Sequence, residues 1–104
     1  MAPRAVREVI ERYKAALATA GFPSFEVVLY GSYARREARP DSDIDLCLIS
    51  PVFVRGRLRH RRKAVQIAYE TDPRIQVVLV DPRTLANDTL SPLWSAIRKE
   101  AIAA

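Results

Sequence analysis

Two aspartates, Asp43 and Asp45, close the run from Gly31 to Asp45, GSYARREARPDSDID. On an extended segment, residues two apart point to one face. Two carboxylates held that way repel each other unless a cation lies between them. Hard oxygen ligands with few His or Cys nearby suit Mg²⁺ or Mn²⁺ rather than zinc. Ile44, Leu46 and Leu48 take the other face and can anchor the segment in a core. Ten residues separate Asp43 from the pair Gly31-Ser32, which falls where an apolar run ends. A glycine there lets backbone come close to a phosphate, and the following amides and the Ser32 hydroxyl can donate to its oxygens. Alone, a Gly-Ser pair reads as a turn and an Asp-x-Asp as a solvated strand end. Together they offer metal ligands on one side and phosphate donors on the other, as a nucleoside triphosphate requires.

These residues need a scaffold. Val6, Val9, Ile10, Tyr13, Leu17 and Ala20 recur at three- and four-residue steps, which predicts an amphipathic helix over about Pro3 to Ala20, ended by Gly21 in the left-handed conformation. Phe25 to Tyr30 predicts a strand. Tyr33 to Ala38 reads as a short helical segment, and Pro40-Asp41-Ser42 as a turn. A second strand covers about Asp43 to Ile49, and Pro51 to Gly56 is a connection. A helix follows over about Leu58 to Tyr69, with Leu58, Val65, Ala68 and Tyr69 facing inward. Arg74 to Val80 predicts a third strand, closed by Asp81-Pro82. Ser91-Pro92 opens a last helix, with Leu93, Trp94, Ile97 and Ile102 as its apolar positions. The order helix, strand, strand, helix, strand, helix implies an α/β (α+β) fold, a small sheet flanked by helices.

The 104 residues suit one domain spanning 1–104. Hydrophobic residues at 49% and charged ones at 28% exclude a disordered chain. The most apolar runs, Phe25–Tyr30 and Ile75–Val80, are too short to cross a bilayer. Arg7, Glu8, Glu11 and Arg12 interrupt the first apolar stretch, so no secretory signal is read there. A lone cysteine, Cys47, forms no internal disulfide, and the cytoplasm is the default compartment. The net charge of +5 favours polyanionic partners without naming one. Six Lys/Arg fall between Arg55 and Lys63, a run that reads as a solvated helix face or as a contact for RNA or an acidic partner. His60, within it, reads as solvated. Cys47 shares the face of Asp43 and Asp45 as a small filler. Trp94 and Tyr69 read as core, or as aromatics able to stack on a base.

The run from Gly31 through Asp45, with its spacing and its intervening ARREARPDS, resembles the minimal nucleotidyltransferases of the DNA polymerase beta superfamily. The resemblance extends to the leading helix and to the segments DPRIQVVLV and SPLWSAIRKEA. It implies a single nucleotidyltransferase-fold domain with a small mixed sheet, and two-metal transfer of a nucleoside monophosphate, AMP from ATP above all, to a hydroxyl. Carried over, Asp43 and Asp45 are the metal ligands, and Gly31 and Ser32 hold phosphate. Arg35 and Arg39 are equally readable as phosphate contacts and as solvent-facing charges. The resemblance also implies a HEPN-domain protein as partner, in a toxin–antitoxin pair, and the small core makes such a partner or a homodimer reasonable.

Two positions depart from the family pattern. The third acid belongs on the strand of DPRIQVVLV, and Gln76 stands in its place. A neutral amide binds Mg²⁺ weakly and cannot accept a proton from a hydroxyl. Asp81 lies an odd number of residues on, so it points to the opposite face of a regular strand. The second departure is Arg36, where relatives usually carry glycine. The expected outcomes are therefore two: a magnesium-dependent nucleotidyltransferase, or a weakened relative that binds nucleotide and neutralises or regulates a partner.

Overall fold

The computed structural model describes residues 2–54 and 58–104. The leading helix forms as α1, Arg4–Thr19, burying Val6, Val9, Ile10, Tyr13 and Leu17, the expected stripe. Gly21, at φ +74°, ends it. The Phe22 amide bonds back to the Leu17 carbonyl and the Gly21 amide to that of Ala18, both at 3.0 Å, the paired pattern that a left-handed residue makes available.

Three strands follow the hydrophobic runs: β1, Glu26–Tyr30, β2, Ile44–Ile49, and β3, Ile75–Val80. A fourth, β4, Ile102–Ala103, completes a mixed sheet in the order β3-β2-β1-β4. β1 runs antiparallel to β2 and to β4, and β2 runs parallel to β3. The parallel pair requires a crossover, supplied by a short 3₁₀ turn at Pro51–Phe53 and by α2, Leu58–Thr71. Two short helices, α3 at Pro82–Asn87 and α4 at Pro92–Glu100, follow β3.

Alternation along the strands sorts side chains onto two faces. Val27, Leu29, Ile44, Leu46, Leu48 and Ile75 pack with the α1 stripe, Phe53, Ala64 and Ala68. Val28, Cys47, Ile49 and Val80 pack on the other face with Ile97, Trp94 and Leu85. The sheet is thus sandwiched, α1 and α2 on one side, α3 and α4 on the other. Full burial of a side chain such as Leu17 or Leu46 is worth about 2 kcal/mol. The Tyr13 hydroxyl donates to the Ala64 carbonyl at 2.9 Å, tying α1 to α2.

Several expectations are corrected. Leu58, Val65 and Tyr69 are exposed, at 60%, 49% and 71%, because α2 packs through Ala64 and Ala68, roughly a quarter turn around the helix. Those small side chains let α2 lie close to its neighbours, leaving the larger residues outside. The segment Tyr33 to Ala38 is a set of tight turns and not a helix, broken by Arg36 at φ +61°. The connection Pro51 to Gly56 carries the 3₁₀ turn, with Phe53 only 1% exposed; its end at 55–56 lies outside the described residues. Ile102 belongs to β4 and not to the last helix, since Ala101 is already extended. His60 is half-buried, edge-on to Phe22 with ring centroids 5.8 Å apart. Helix α3 had its signals in plain view: Asp81 accepts from the Thr84 amide at 3.2 Å and Pro82 sits in the first turn.

Candidate functional site

β1 ends at Tyr30, and the chain turns at Gly31. Gly31 is buried, at φ +76°, a backbone region that side chains disfavour. There is also no room for one. A Cβ at Gly31 would collide with Asp45 Oδ2 and lie 3.0 Å from its Cγ. The turn is closed by the Arg35 amide on the Gly31 carbonyl at 3.0 Å and the Glu37 amide on the Ser32 carbonyl at 2.9 Å. The Gly31-Ser32 turn and the second aspartate are therefore brought into contact.

Asp43 is exposed just before β2, and Asp45 is half-buried on the strand's second residue. Burial raises the Asp45 pKa, the Asp43 charge raises it further, Arg35 opposes the shift and Glu100 adds to it. The two acids thus sense each other, and a cation would relieve both the repulsion and the cost of burial. Tyr30 is the register partner of Asp45 on one side and Gln76 on the other. The Tyr30 hydroxyl is pushed up to about 12 by burial first, then by the charges of Asp45, Cys47 and Glu100. Gln76 is exposed, so the amide stands beside Asp45 on the same face of the sheet.

Asp81 is committed elsewhere. It caps α3, its Oδ1 accepting from the Thr84 hydroxyl at 2.6 Å, and this hydrogen bonding lowers its pKa. Among the described residues no three His, Cys, Asp or Glu converge closely enough to hold a metal ion. The donor set suits an ion that takes one or two carboxylates and completes its shell with water and phosphate oxygens, the habit of Mg²⁺. It does not suit a cation held by protein ligands alone.

Arg35 lies within the site. Its Nη1 is 3.1 Å from Glu100 Oε1, and its Nε is 3.6 Å from Glu37 Oε2. Arg39 does not join it: its backbone forms a turn with Ser42, and its exposed side chain lines a hollow with Tyr33, Pro40 and Arg74. Ser32 is half-buried beside Gly31. Cys47 is wholly buried, its thiol pushed up to about 12 by burial and then by Glu26, which fits the filler reading. Of the basic run, Arg55 and Arg57 lie outside the described residues. Arg61 donates to the Phe53 carbonyl at 2.9 Å and lies over its ring, and Lys63 donates to the Ala20 carbonyl at 3.1 Å. Sequence reasoning missed Glu100. It accepts from both the Gly31 amide and Arg35 at 3.1 Å, and only the fold of α4 against the sheet brings it there.

Residues 6–102 match the family described as nucleotidyltransferase domain. A protein of Methanocaldococcus jannaschii, provisionally named a protein adenylyltransferase, is 35% identical over 75 residues, covering 68% of this chain and 51% of that protein. The chain therefore spans about half the length of this curated relative. A solved structure, provisionally described as a minimal nucleotidyltransferase, is 28% identical with a TM-score of 0.59, over 95% of both chains.

Proposed function

This chain belongs to the nucleotidyltransferase domain family, and on that footing we propose that it binds a magnesium–nucleoside triphosphate and transfers the nucleoside monophosphate to a hydroxyl. In that step the hydroxyl attacks the α-phosphorus, pyrophosphate leaves, and the hydroxyl proton passes to solvent. ATP as donor follows the name of the Methanocaldococcus jannaschii relative. The observation that carries the proposal is the contact between Gly31 and Asp45, which leaves space for no side chain between them. Asp43 and Asp45 would hold Mg²⁺, or Mn²⁺, with phosphate oxygens filling the remaining positions. When bound, the ion supplies neutralisation of the polyphosphate charge. The Gly31 and Ser32 turn and Arg35 would donate to phosphate oxygens.

A second reading is favoured by Gln76 beside Asp45. An amide accepts no proton from an attacking hydroxyl and ligates a second metal poorly, so binding outlasts catalysis and the chain regulates or neutralises a partner. A HEPN-type partner in a toxin–antitoxin pair fits either reading, as the target of transfer in the first and as a bound partner in the second, and self-association belongs to the second. RNA contact through Arg55 to Lys63 has less support, because Arg61 and Lys63 are engaged by their own chain.

Incubation with ATP labelled at the α-phosphate, with and without Mg²⁺, tests both readings. Label transferred to protein or small hydroxyl acceptors, and lost in Asp43→Ala, supports the enzyme. MgATP binding without transfer selects the second reading. Absence of binding at millimolar MgATP overturns both.

A further inference from the structure

Glu100 closes α4, and its position is held from both sides. Ile97, one turn earlier and 1% exposed, is locked in the apolar layer with Val28, Cys47, Ile49 and Val80. Just beyond it, β4 pairs with β1, Ile102 opposite Leu29. The Glu100 side chain is 24% exposed, and its Oε1 takes the Gly31 amide and the Arg35 guanidinium together, each at 3.1 Å. These are two of the donors read above as phosphate contacts. The carboxylate also lies close enough to Asp45 to raise its pKa. A carboxylate free to turn to water instead sits among like charges, and the two charge-assisted donors are what offset that repulsion.

We propose that Glu100 is an internal competitor for the polyphosphate, standing where a phosphate oxygen would stand and setting which nucleotides can enter. The proposal rests on reading Gly31 and Arg35 as phosphate donors. Displacement requires only rotation of the Glu100 side chain, with α4 and β4 left in place. A ligand must outcompete a tethered carboxylate, whose effective concentration is high. A triphosphate carrying a divalent cation does so, because it brings several acceptors and neutralises Asp43 and Asp45. A nucleoside monophosphate brings neither. Glu100 thereby selects for triphosphate over monophosphate in a site with few other contacts to tell them apart.

Calorimetric titration of MgATP, AMP and inorganic tripolyphosphate against the wild type, Glu100→Gln, Glu100→Asp and Asp45→Ala tests this. Glu100→Gln removes the charge, and is expected to bind MgATP and tripolyphosphate about tenfold more tightly and to narrow the preference for ATP over AMP. Glu100→Asp keeps the charge but shortens the reach, and is expected to tighten binding by less; it carries the test if the first variant does not fold. Unchanged or weaker binding in both variants overturns the proposal. If the wild type then still binds MgATP and Asp45→Ala does not, the phosphate-site reading survives. Failure of the wild type and of both Glu100 variants to bind MgATP overturns the phosphate-site reading, and the competitor with it.

Discussion

Asp45 and Gln76 are register partners across the parallel pair of β2 and β3, so an acid and an amide stand side by side at the centre of the site. Glutamate at position 76 would place a third carboxylate next to Asp43 and Asp45 with no change of backbone. Gln76→Glu is expected to raise α-phosphate transfer at least about tenfold, with MgATP affinity within about threefold of the wild type. Without Mg²⁺ the same variant should melt lower than the wild type, since a further like charge faces Asp45. Equal transfer rates in the two proteins would remove Gln76 as the cause of any weak turnover.

Asp45 is destabilising in the absence of a cation. Its folded pKa lies above the usual aspartate value of 3.8, so the folded chain binds the proton more readily than the unfolded one. The penalty is fully present above the folded pKa, falls as pH drops through it, and vanishes below 3.8. Asp45→Asn is therefore expected to raise Tm at neutral pH, with the gain lost on acidification. Added Mg²⁺ should stabilise the wild type and leave the Asn variant unmoved. Thermal melts at several pH values, with and without MgCl₂, check both signs.

Gly31→Ala combines a disfavoured φ with a collision against Asp45. A loss of about 2 kcal/mol or more is expected in denaturant unfolding. Part of it should return in Gly31→Ala with Asp45→Ala, because the second change removes the Oδ2 and Cγ that the new methyl meets. Strict additivity in that double-mutant cycle would show that the backbone angle alone sets the cost.

Arg36 holds φ +61°, a conformation that glycine, the residue the family resemblance leads one to expect here, adopts without strain. Arg36→Gly is expected to stabilise the fold by about 1 kcal/mol, by relieving a left-handed conformation that a side chain disfavours. Unfolding midpoints in urea test it, and a destabilised variant would mean that the Arg36 side chain has contacts worth more than the strain.

Asp81 caps α3, accepting from the amide and hydroxyl of Thr84. Asp81→Ala should cost about 1 kcal/mol of stability and leave MgATP binding intact. Because hydrogen bonding lowers its folded pKa below 3.8, its contribution is present above the unfolded value and lost as pH falls through the folded one. Loss of MgATP binding in this variant would make Asp81 a candidate ligand despite its place at the start of α3.

The helix and strand periods were legible where one face carries the apolar residues, as on α1, even though β2 is packed on both faces. The stripe Val6, Val9, Ile10, Tyr13 and Leu17 and the opposed sets around Asp45 follow directly from steps of three to four and of two. The inward face of α2 was read correctly at Ala68 but misread at Leu58, Val65 and Tyr69 for a definite reason: apolar size pointed to those residues, whereas close packing selected Ala64 beside Ala68. Gln76 was singled out by the family resemblance, as the residue standing in place of a third acid, whereas the direct contact of Gly31 with Asp45 was not foreseen from spacing. Glu100 was beyond reach, since it is 69 residues from Gly31 and no local period connects a helix end to a distant turn. Asp81 and Pro82 were legible as a helix start but were read only as a strand stop.

The two rims of the sheet are finished differently. β4 covers part of β1, at Val28 and Leu29, so that rim is partly shielded. β3 has no strand on its far side among the described residues. Its sequence, IQVVLV, carries no charge, and its only exposed position is Gln76. A neutral, β-branched rim with open amides and carbonyls is a template for strand addition. A strand added at that rim would pair with β3 and would lie beside Gln76, with Gln76 between it and Asp45.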